Sequence, residues 1–337
     1  MEVSPRSLIT GPSILENGIT GPSILENGAG DLSAFKKNGS NFGRSRKVCT
    51  PICINRIATW NVEGLSGPSQ IKYVELCMYM RQHGIAVLCL QETHIFGAEK
   101  LEYEGFSIYL SGESFRDGRS FSGVGFIVAP WAIQAVVSFQ GINDRLARIR
   151  MKVFGGVLNV LSVYIPHDGH DLEYRQHIFD DLSKYTRRDH DHESTVVFGD
   201  FNAQLGYVGT DEESIIGQHV FKKTLCQKPG ISNRDLLLEH CTTHEVLVKN
   251  TFFDYPDELL VSYFNLSAKP MDTISTQAFS QIDHVLCGQN NSDMVVDCWT
   301  NRTDTLRSHH FITTAQVCVS FTPKQQIRKS KSNRNHT

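Results

Sequence analysis

The feature that most constrains the fold is an alternation that begins at Ile54, where short apolar runs bounded by turns are interrupted by a few longer stretches with helical periodicity. The runs typical of strands are 54–60, 85–90, 122–129, 145–153, 157–165, 195–199, 281–287 and 310–319. The stretches typical of helices are 70–83, 171–187 and 232–243. Because helices and strands are interleaved along the chain, the pattern predicts a layered α/β domain.

The two ends of the chain differ in composition from this central part. Residues 9–18 and 19–28 are the same ten letters, ITGPSILENG, and the stretch that follows is rich in Gly, Ser and Asn. We therefore expect a disordered leader over 1–52. The segment 322–337 has five basic residues and no acidic one, which indicates a disordered tail that binds nucleic acid, directs nuclear import or is merely solvated. This leaves 53–321 as one folded domain.

Length, charge and cysteine content exclude several classes of protein. The chain has 337 residues, 40% of them hydrophobic, which is enough to bury a full core. Its formal net charge of -3 is not that of an indiscriminate nucleic-acid binder, so any attraction to phosphate has to be local. Nine cysteines without a CxxC pair indicate reduced thiols in an intracellular protein. No apolar run approaches about 18 residues, so membrane spanning is not supported.

Polar segments stand where several of the predicted strands end. They are TWN at 59–61, LQETH at 90–94, VYIPHDG at 163–169, GDFNAQLG at 199–206, SQIDHVL at 280–286 and RSHHFI at 307–312. In this order they resemble the motifs of the endonuclease/exonuclease/phosphatase superfamily, and within it the endonuclease domains of non-LTR (LINE-type) retrotransposons and craniofacial development protein 2-like sequences. The resemblance implies a DNase I-like fold, an α/β four-layer sandwich of two mixed β-sheets flanked by helices.

Glu92 is the first candidate metal ligand. It follows the apolar run IAVLCL, so its carboxylate is expected at the end of a buried strand, where it is either an ordinary surface charge or a ligand. The resemblance favours the ligand and implies a site for Mg²⁺, with Mn²⁺ as an alternative, formed by Glu92 with Asn61 and His309. Mg²⁺ prefers hard oxygen ligands, and a metal ion can neutralise a phosphodiester and stabilise its leaving oxygen.

The resemblance also implies five catalytic residues. Asp200 is expected to activate or position the attacking water, and Asn202, on the same side of an extended segment, to donate to the phosphate oxygens. Asp283 is expected to orient His310, which contacts the scissile phosphate. Tyr164, at the end of a predicted strand, either reaches substrate phosphate or is a core tyrosine with a hydrated hydroxyl.

The sequence departs from the family pattern at two places. The family has an aspartate at the position of His309, and imidazole suits Mn²⁺ or Zn²⁺ better than Mg²⁺. We therefore predict weakened activity that a His309→Asp substitution raises. The segment before QIDH, which reads SYFNLSAKPMDTISTQAFS, lacks the Pro-Asp-Gly turn and the basic residue of retrotransposon endonucleases. The choice of DNA target is therefore the property that can least be inferred from the family resemblance.

These features predict a divalent-metal-dependent phosphodiester hydrolase, specifically a DNA-nicking endonuclease of retrotransposon origin. DNA is the expected partner, no membrane is expected, and the expected state is a monomer inside the cell with a nuclear location open. Two alternatives stay open. The first is a catalytically decayed relic that binds nucleic acid, and the second is a phosphoesterase of the same fold that acts on small molecules or lipids.

Overall fold

The computed structural model describes residues 54–65, 71–113, 121–186, 192–206, 208–221, 230–265, 278–302 and 308–322. The predicted leader and the predicted tail from residue 323 onwards lie outside the described residues, so those two domain predictions stay predictions. Within the described ranges the chain forms three α-helices, α1 (Ile71–His83), α2 (Leu172–Thr186) and α3 (Asn233–His244).

Fifteen strands occur in the same part of the chain. In chain order they are β1 (Ile54–Asn61), β2 (Ile85–Gln91), β3 (Ala98–Tyr103), β4 (Phe106–Ser111), β5 (Val124–Val128), β6 (Val136–Gly141), β7 (Leu146–Val153), β8 (Gly156–Tyr164), β9 (Glu193–Asp200), β10 (Val246–Val248), β11 (Tyr263–Phe264), β12 (Phe279–Ser280), β13 (Asp283–Gly288), β14 (Val295–Asn301) and β15 (Ile312–Cys318). All eight strand-like runs and all three helical stretches recognised in the sequence overlap elements of the same type.

Two mixed sheets contain most of the strands. The seven-stranded sheet has the order β14-β15-β1-β2-β5-β4-β3, and the six-stranded sheet has the order β10-β13-β9-β8-β7-β6. In each sheet one central pair is parallel, β1 with β2 and β8 with β9, and the neighbouring pairs are antiparallel. Strands β11 and β12 form a separate two-stranded sheet.

The sheets pack face to face, because alternate side chains of their central strands share one buried cluster. Val87 and Cys89 of β2 belong to this cluster together with Val160 of β8 and Phe198 of β9. Every residue of β2 is buried, as expected for a strand that is covered on both faces.

The helices cover the outer faces of the two sheets. Leu88 of β2 clusters with Leu76 and Met80 of α1, whereas Leu161 of β8 clusters with residues of α2 and α3, among them Leu182. The order is therefore helix, sheet, sheet, helix, which is the predicted four-layer α/β sandwich. None of the helices in the described ranges has the length and apolar character needed to cross a membrane.

The topology brings several strand ends to one rim of the sandwich. The parallel pairs β1–β2 and β8–β9 end together, since Asn61 lies opposite Gln91 and Tyr164 lies opposite Asp200. Strand β13 begins at the same rim, where Asp283 is paired with Asp200. The polar segments that are far apart in the sequence therefore meet in space.

Candidate active site

Asn61 connects carboxylates that come from the two sheets. It is the last residue of β1, and its Nδ2 donates to Glu92 Oε1 at 2.9 Å and to Asp200 Oδ2 at 3.1 Å. Its Oδ1 accepts the backbone N–H of Glu63 at 3.1 Å. The amide therefore orients Glu92 and Asp200, and its predicted place among the metal ligands stays a prediction.

Glu92 lies immediately after β2 with a φ of 49°, a left-handed backbone conformation that costs free energy in a non-glycine residue. Its Oε2 is 3.4 Å from Nε2 of His94, and Tyr164 also interacts with the carboxylate. Burial opposes ionisation, but the close approach of His94 together with Asn61 and Tyr164 outweighs it and lowers the pKa of Glu92 to about 2. Glu92 is therefore an ionised carboxylate that faces the rim.

Asp200 and Asn202 belong to the turn that follows β9. Asp200 Oδ1 accepts the backbone N–H of Asn202 at 2.8 Å, and Asn202 Nδ2 donates to Ile165 O at 2.9 Å, with a φ of 47° at Asn202. Burial, with Asp283 nearby, raises the pKa of Asp200 to about 7 against the lowering effect of His310, Asn202 and Asn61. Asp200 can therefore accept or release a proton near neutral pH.

His310 lies between two carboxylates. Its Nδ1 is 3.0 Å from Asp283 Oδ2, its Nε2 is 3.7 Å from Asp200 Oδ2, and its ring lies 4.8 Å from the ring of Tyr263. Burial alone disfavours the charged imidazolium, but Asp283 and Asp200 raise the pKa of His310 to about 9. The imidazole is therefore protonated at neutral pH in the metal-free protein.

The donor set at this rim fits a divalent cation. Asp200, Asp283 and His310 each offer one ligand atom, and these atoms lie within 4.8 Å of one another. Oδ1 of Asp283 is buried and has no hydrogen-bond partner, which is an unfavourable state for a carboxylate oxygen unless a cation or a donor binds it. Two carboxylates and one imidazole can hold Mg²⁺, Mn²⁺ or Zn²⁺.

His309 lies against Glu63. Its predicted role as a metal ligand stays a prediction. Its Nδ1 is 2.7 Å from Oε1 of Glu63, and its backbone N–H donates to the other oxygen of the same carboxylate at 3.2 Å. The imidazole is thus engaged with Glu63, a residue to which the sequence reasoning gave no role.

Tyr164 lies on the rim beside Arg145, a second residue that the sequence reasoning missed. Burial, with Glu92 and Asp200 nearby, raises the pKa of Tyr164 above its ordinary value, so the hydroxyl keeps its proton. The Arg145 guanidinium lies 4.4 Å from the Tyr164 ring centroid, and its Nε donates to the hydroxyl of Tyr174. Its Nη1 is buried without a hydrogen-bond partner. Arg145 Nε also lies 3.7 Å from Asp144 Oδ2, so the arrangement leaves one unsatisfied guanidinium donor beside Tyr164.

Backbone conformation is a further mark of this rim. Of the seven non-glycine residues with positive φ in the described ranges, four belong to the site: Glu63, Glu92, His94 and Asn202. Residues in such conformations cluster at functional sites because the surrounding structure has to compensate for their strain. Glu63 and His94 follow Asn61 and Glu92 by two residues, so their closeness to recognised motif residues was the signal available in the sequence. Arg145 had a weaker one, as a basic residue at the start of a predicted strand.

Comparison with known proteins identifies the family. Residues 58–293 match the model of the Endonuclease/Exonuclease/phosphatase family, which is more than half of the chain. The chain belongs to the endonuclease/exonuclease/phosphatase family. Its matched region runs from β1 to the segment before β14 and includes Asn61, Glu92, Asp200 and Asp283.

Relatives of this family member include craniofacial development protein 2 of Bos taurus, which is 24% identical over 234 residues; these residues make up 69% of this chain and 36% of the relative. The AP endonuclease LMAP from Leishmania major has a similar structure, with a TM-score of 0.59 and 15% identity over 79% of this chain and 88% of that one. The endonuclease domain of TRAS1, a telomere-specific non-LTR retrotransposon, gives a TM-score of 0.50 and 12% identity, covering 79% and 98%. These likenesses confirm the resemblance and the predicted DNase I-like fold.

Proposed function

We propose that this family member is a divalent-metal-dependent phosphodiester hydrolase, specifically an endonuclease of retrotransposon origin that nicks DNA. The observation that carries the proposal is the meeting of four ionisable side chains from both sheets at one rim, where one amide donates to two of them. The four are Glu92, Asp200, Asp283 and His310, and the amide is that of Asn61.

The protonation states of these residues suit hydrolysis of an anionic ester. A pKa of about 7 lets Asp200 take a proton from an attacking water at neutral pH, since a general base works best when its pKa is near the working pH. The charged imidazole of His310 can donate from Nε2 to a phosphate oxygen while Asp283 holds Nδ1. Preorganised donors of this kind are typically worth about 10²–10³ in rate.

The substrate contacts proposed here come from groups beside the carboxylates. The Tyr164 hydroxyl keeps its proton, and the buried Arg145 Nη1 without a partner is available to a phosphate oxygen. Arginine recognises phosphate well because its planar fork of donors matches the oxygens. DNA as the substrate is supported by the two structural neighbours, named an AP endonuclease and the endonuclease domain of a non-LTR retrotransposon.

The metal ion would be held by the ionised carboxylate of Glu92 and by Oδ1 of Asp283, which is buried without a hydrogen-bond partner, so that Asp200 and His310 keep their proton-transfer roles. When bound, Mg²⁺ or Mn²⁺ supplies charge that neutralises the phosphate and stabilises the leaving oxygen. Asn61 keeps Glu92 and Asp200 oriented towards the same space.

The test is nicking of supercoiled plasmid by the full chain with Mg²⁺, with Mn²⁺ and with a chelator. The variant Glu92→Gln removes the ionised carboxylate, and Glu173→Gln, an exposed position in α2, is the matched control. The proposal predicts metal-dependent nicking that Glu173→Gln retains and Glu92→Gln loses. Salt-sensitive DNA binding without nicking supports the decayed relic instead, and turnover of a small phosphoester with indifference to DNA supports the other phosphoesterase.

A further inference from the structure

Glu63 holds His309 through both oxygens of its carboxylate. Oε1 lies 2.7 Å from Nδ1 of His309, and Oε2 accepts the backbone N–H of the same residue at 3.2 Å. The two side chains are partly exposed, at 38% for His309 and 27% for Glu63, so the pair sits at the surface of the rim. A single carboxylate thus fixes both the imidazole and the backbone of the residue before His310.

Hydrogen bonds hold the backbone turn that carries Glu63. Lys72 of α1 donates from Nζ to Val62 O at 3.0 Å and to Gly64 O at 2.5 Å, on either side of Glu63. The backbone N–H of Gly64 also donates to Glu92 O at 2.7 Å. Glu63 itself has a φ of 46°, a left-handed backbone conformation. The turn is therefore anchored to the helix and to the residue after β2.

A hydrogen bond also connects the segment 308–310 to Asn61, just before this turn. Ser308 Oγ donates to Asn61 O at 2.6 Å and accepts the backbone N–H of His310 at 3.0 Å. Glu63 holds the imidazole and the N–H of His309, whereas the His309 carbonyl accepts the backbone N–H of Phe264 at 2.8 Å and the His310 carbonyl accepts from Trp60 Nε1 at 2.9 Å. A shift of His309 would change the direction of the His310 side chain.

We propose that Glu63 is a positioning residue, which binds His309 and thereby sets the His310 imidazole against Asp283 and Asp200. The effect on catalysis rests on the proposed function, but the effect on the geometry of His310 does not. Among the described residues the Glu63 carboxylate bonds to His309 and not to Glu92, Asp200 or Asp283, so in this role it acts through His309.

The contact between Glu63 and His309 predicts an effect of His309→Asp on nicking that a surface contact without a positioning role would not produce. An aspartate at position 309, which the motif resemblance favours, would bring a second carboxylate against Glu63, and like charges so close repel each other. His309→Asp therefore lowers nicking, opposite to the gain expected from the motif. In Glu63→Gln/His309→Asp the glutamine amide can donate to the new carboxylate, so the double variant recovers activity.

The geometry is tested by NMR of the histidine rings in the full chain without metal. The ring nitrogen signals of His310 are assigned by their loss in His310→Gln. We expect Glu63→Ala to move these signals, and Glu99→Ala, an exposed site on β3, to leave them unchanged. If Glu63→Ala does not fold, Glu63→Gln replaces it, since it keeps one acceptor oxygen of the same shape. His310 signals that stay at their parental positions while those of His309 move would overturn the inference.

The kinetic test compares kcat and KM for nicking in the parent, His309→Asp and the double variant. We expect kcat to fall about tenfold or more in His309→Asp, with KM little changed, and to recover at least half of that loss on a logarithmic scale in the double variant. A gain in His309→Asp, or equal losses in both variants, contradicts the inference. If the parent chain does not nick DNA, the proposed function is rejected. The positioning role of Glu63 is still decided by the NMR signals of the His310 ring, because that test needs no nuclease activity.

Discussion

Replacing Asp283 with asparagine isolates the charge that keeps His310 protonated. The asparagine oxygen can still accept from Nδ1 at the present distance of 3.0 Å, so the shape of the pair is retained while its charge is lost. Asp283 is the largest of the influences that raise the pKa of His310 from 6.5 to about 9. That rise corresponds to about 3 kcal/mol, at about 1.4 kcal/mol for each pH unit. One neighbouring carboxylate typically accounts for about 1–3 pH units.

The assay is an NMR titration of the His310 ring in the presence of a chelator. We expect a midpoint of about 9 in the parent and a midpoint lower by at least about 1 pH unit in Asp283→Asn. Because the raised pKa stabilises the folded state at low pH, this stabilisation is complete below about 6.5 and is lost as the pH rises through about 9. The loss of unfolding free energy in Asp283→Asn should therefore be larger near neutral pH than at about pH 10. A parental midpoint near 6.5, or equal midpoints in the two proteins, would refute this account of His310.

Three further predictions concern other parts of the rim. Because the pKa of Glu92 is lowered from 4.5 to about 2, its carboxylate stabilises the fold above about pH 4.5. In urea unfolding, the difference in unfolding free energy between the parent and Glu92→Gln should therefore shrink as the pH falls towards 2. Arg145→Gln should raise KM for DNA about tenfold and reduce the salt dependence of DNA binding by about one ion. Arg145→Lys should recover only part of this loss of affinity, because lysine lacks the planar fork of donors. A salt dependence that is unchanged in Arg145→Gln contradicts the phosphate contact. In Gly199→Ala the new Cβ would lie 2.0 Å from Val163 O, so β8 and β9 have to separate, and thermal unfolding should show a loss of about 1–3 kcal/mol. A variant as stable as the parent would mean that the two strands separate more easily than the structure indicates.

The site could be predicted from the sequence because its residues stand at the ends of apolar strands. Runs such as IAVLCL are recognisable from their composition, and a polar residue directly after one of them has to lie at an edge of the sheet. Asp200 directly follows TVVFG, Glu92 stands one residue beyond IAVLCL, and Tyr164 lies near the end of the predicted strand 157–165; all three lie at the rim. The parallel pairing of β1 with β2 and of β8 with β9 aligns the strand ends within each sheet, and the face-to-face packing of the two sheets brings Glu92 to Asp200 and Tyr164.

The strands that were missed lack such a pattern. Strand β3 reads AEKLEY and is mostly exposed at the edge of its sheet, so no apolar face distinguishes it from a polar loop. Strands β6 and β14 are also edge strands with mixed burial, and β10, β11 and β12 have only two or three residues each. Strand β4 is fully buried, but serines at its second and last positions interrupt the run FSIYLS, so it lacks the continuous apolar pattern of a strand that is covered on both faces.

Side-chain partners that are far apart in sequence were also beyond prediction. Glu63 and His309 are separated by 246 positions, and nothing in either motif shows that the carboxylate meets the imidazole. The motif alone therefore favoured a metal role for His309 and a gain from His309→Asp. The structure instead supplies a reason to expect a loss, because the carboxylate that would be added already has a negatively charged neighbour.

The most direct measurement of the central claim is the mass of the DNA products formed by the full chain in water enriched in heavy oxygen. Hydrolysis of a phosphodiester by water activated at Asp200 places one heavy oxygen atom in the new terminal phosphate. The account predicts this single label in products of the parent chain with Mg²⁺ or Mn²⁺, and no labelled product with Asp200→Asn. Labelled product formed equally by Asp200→Asn, or no DNA product from either protein, would contradict it.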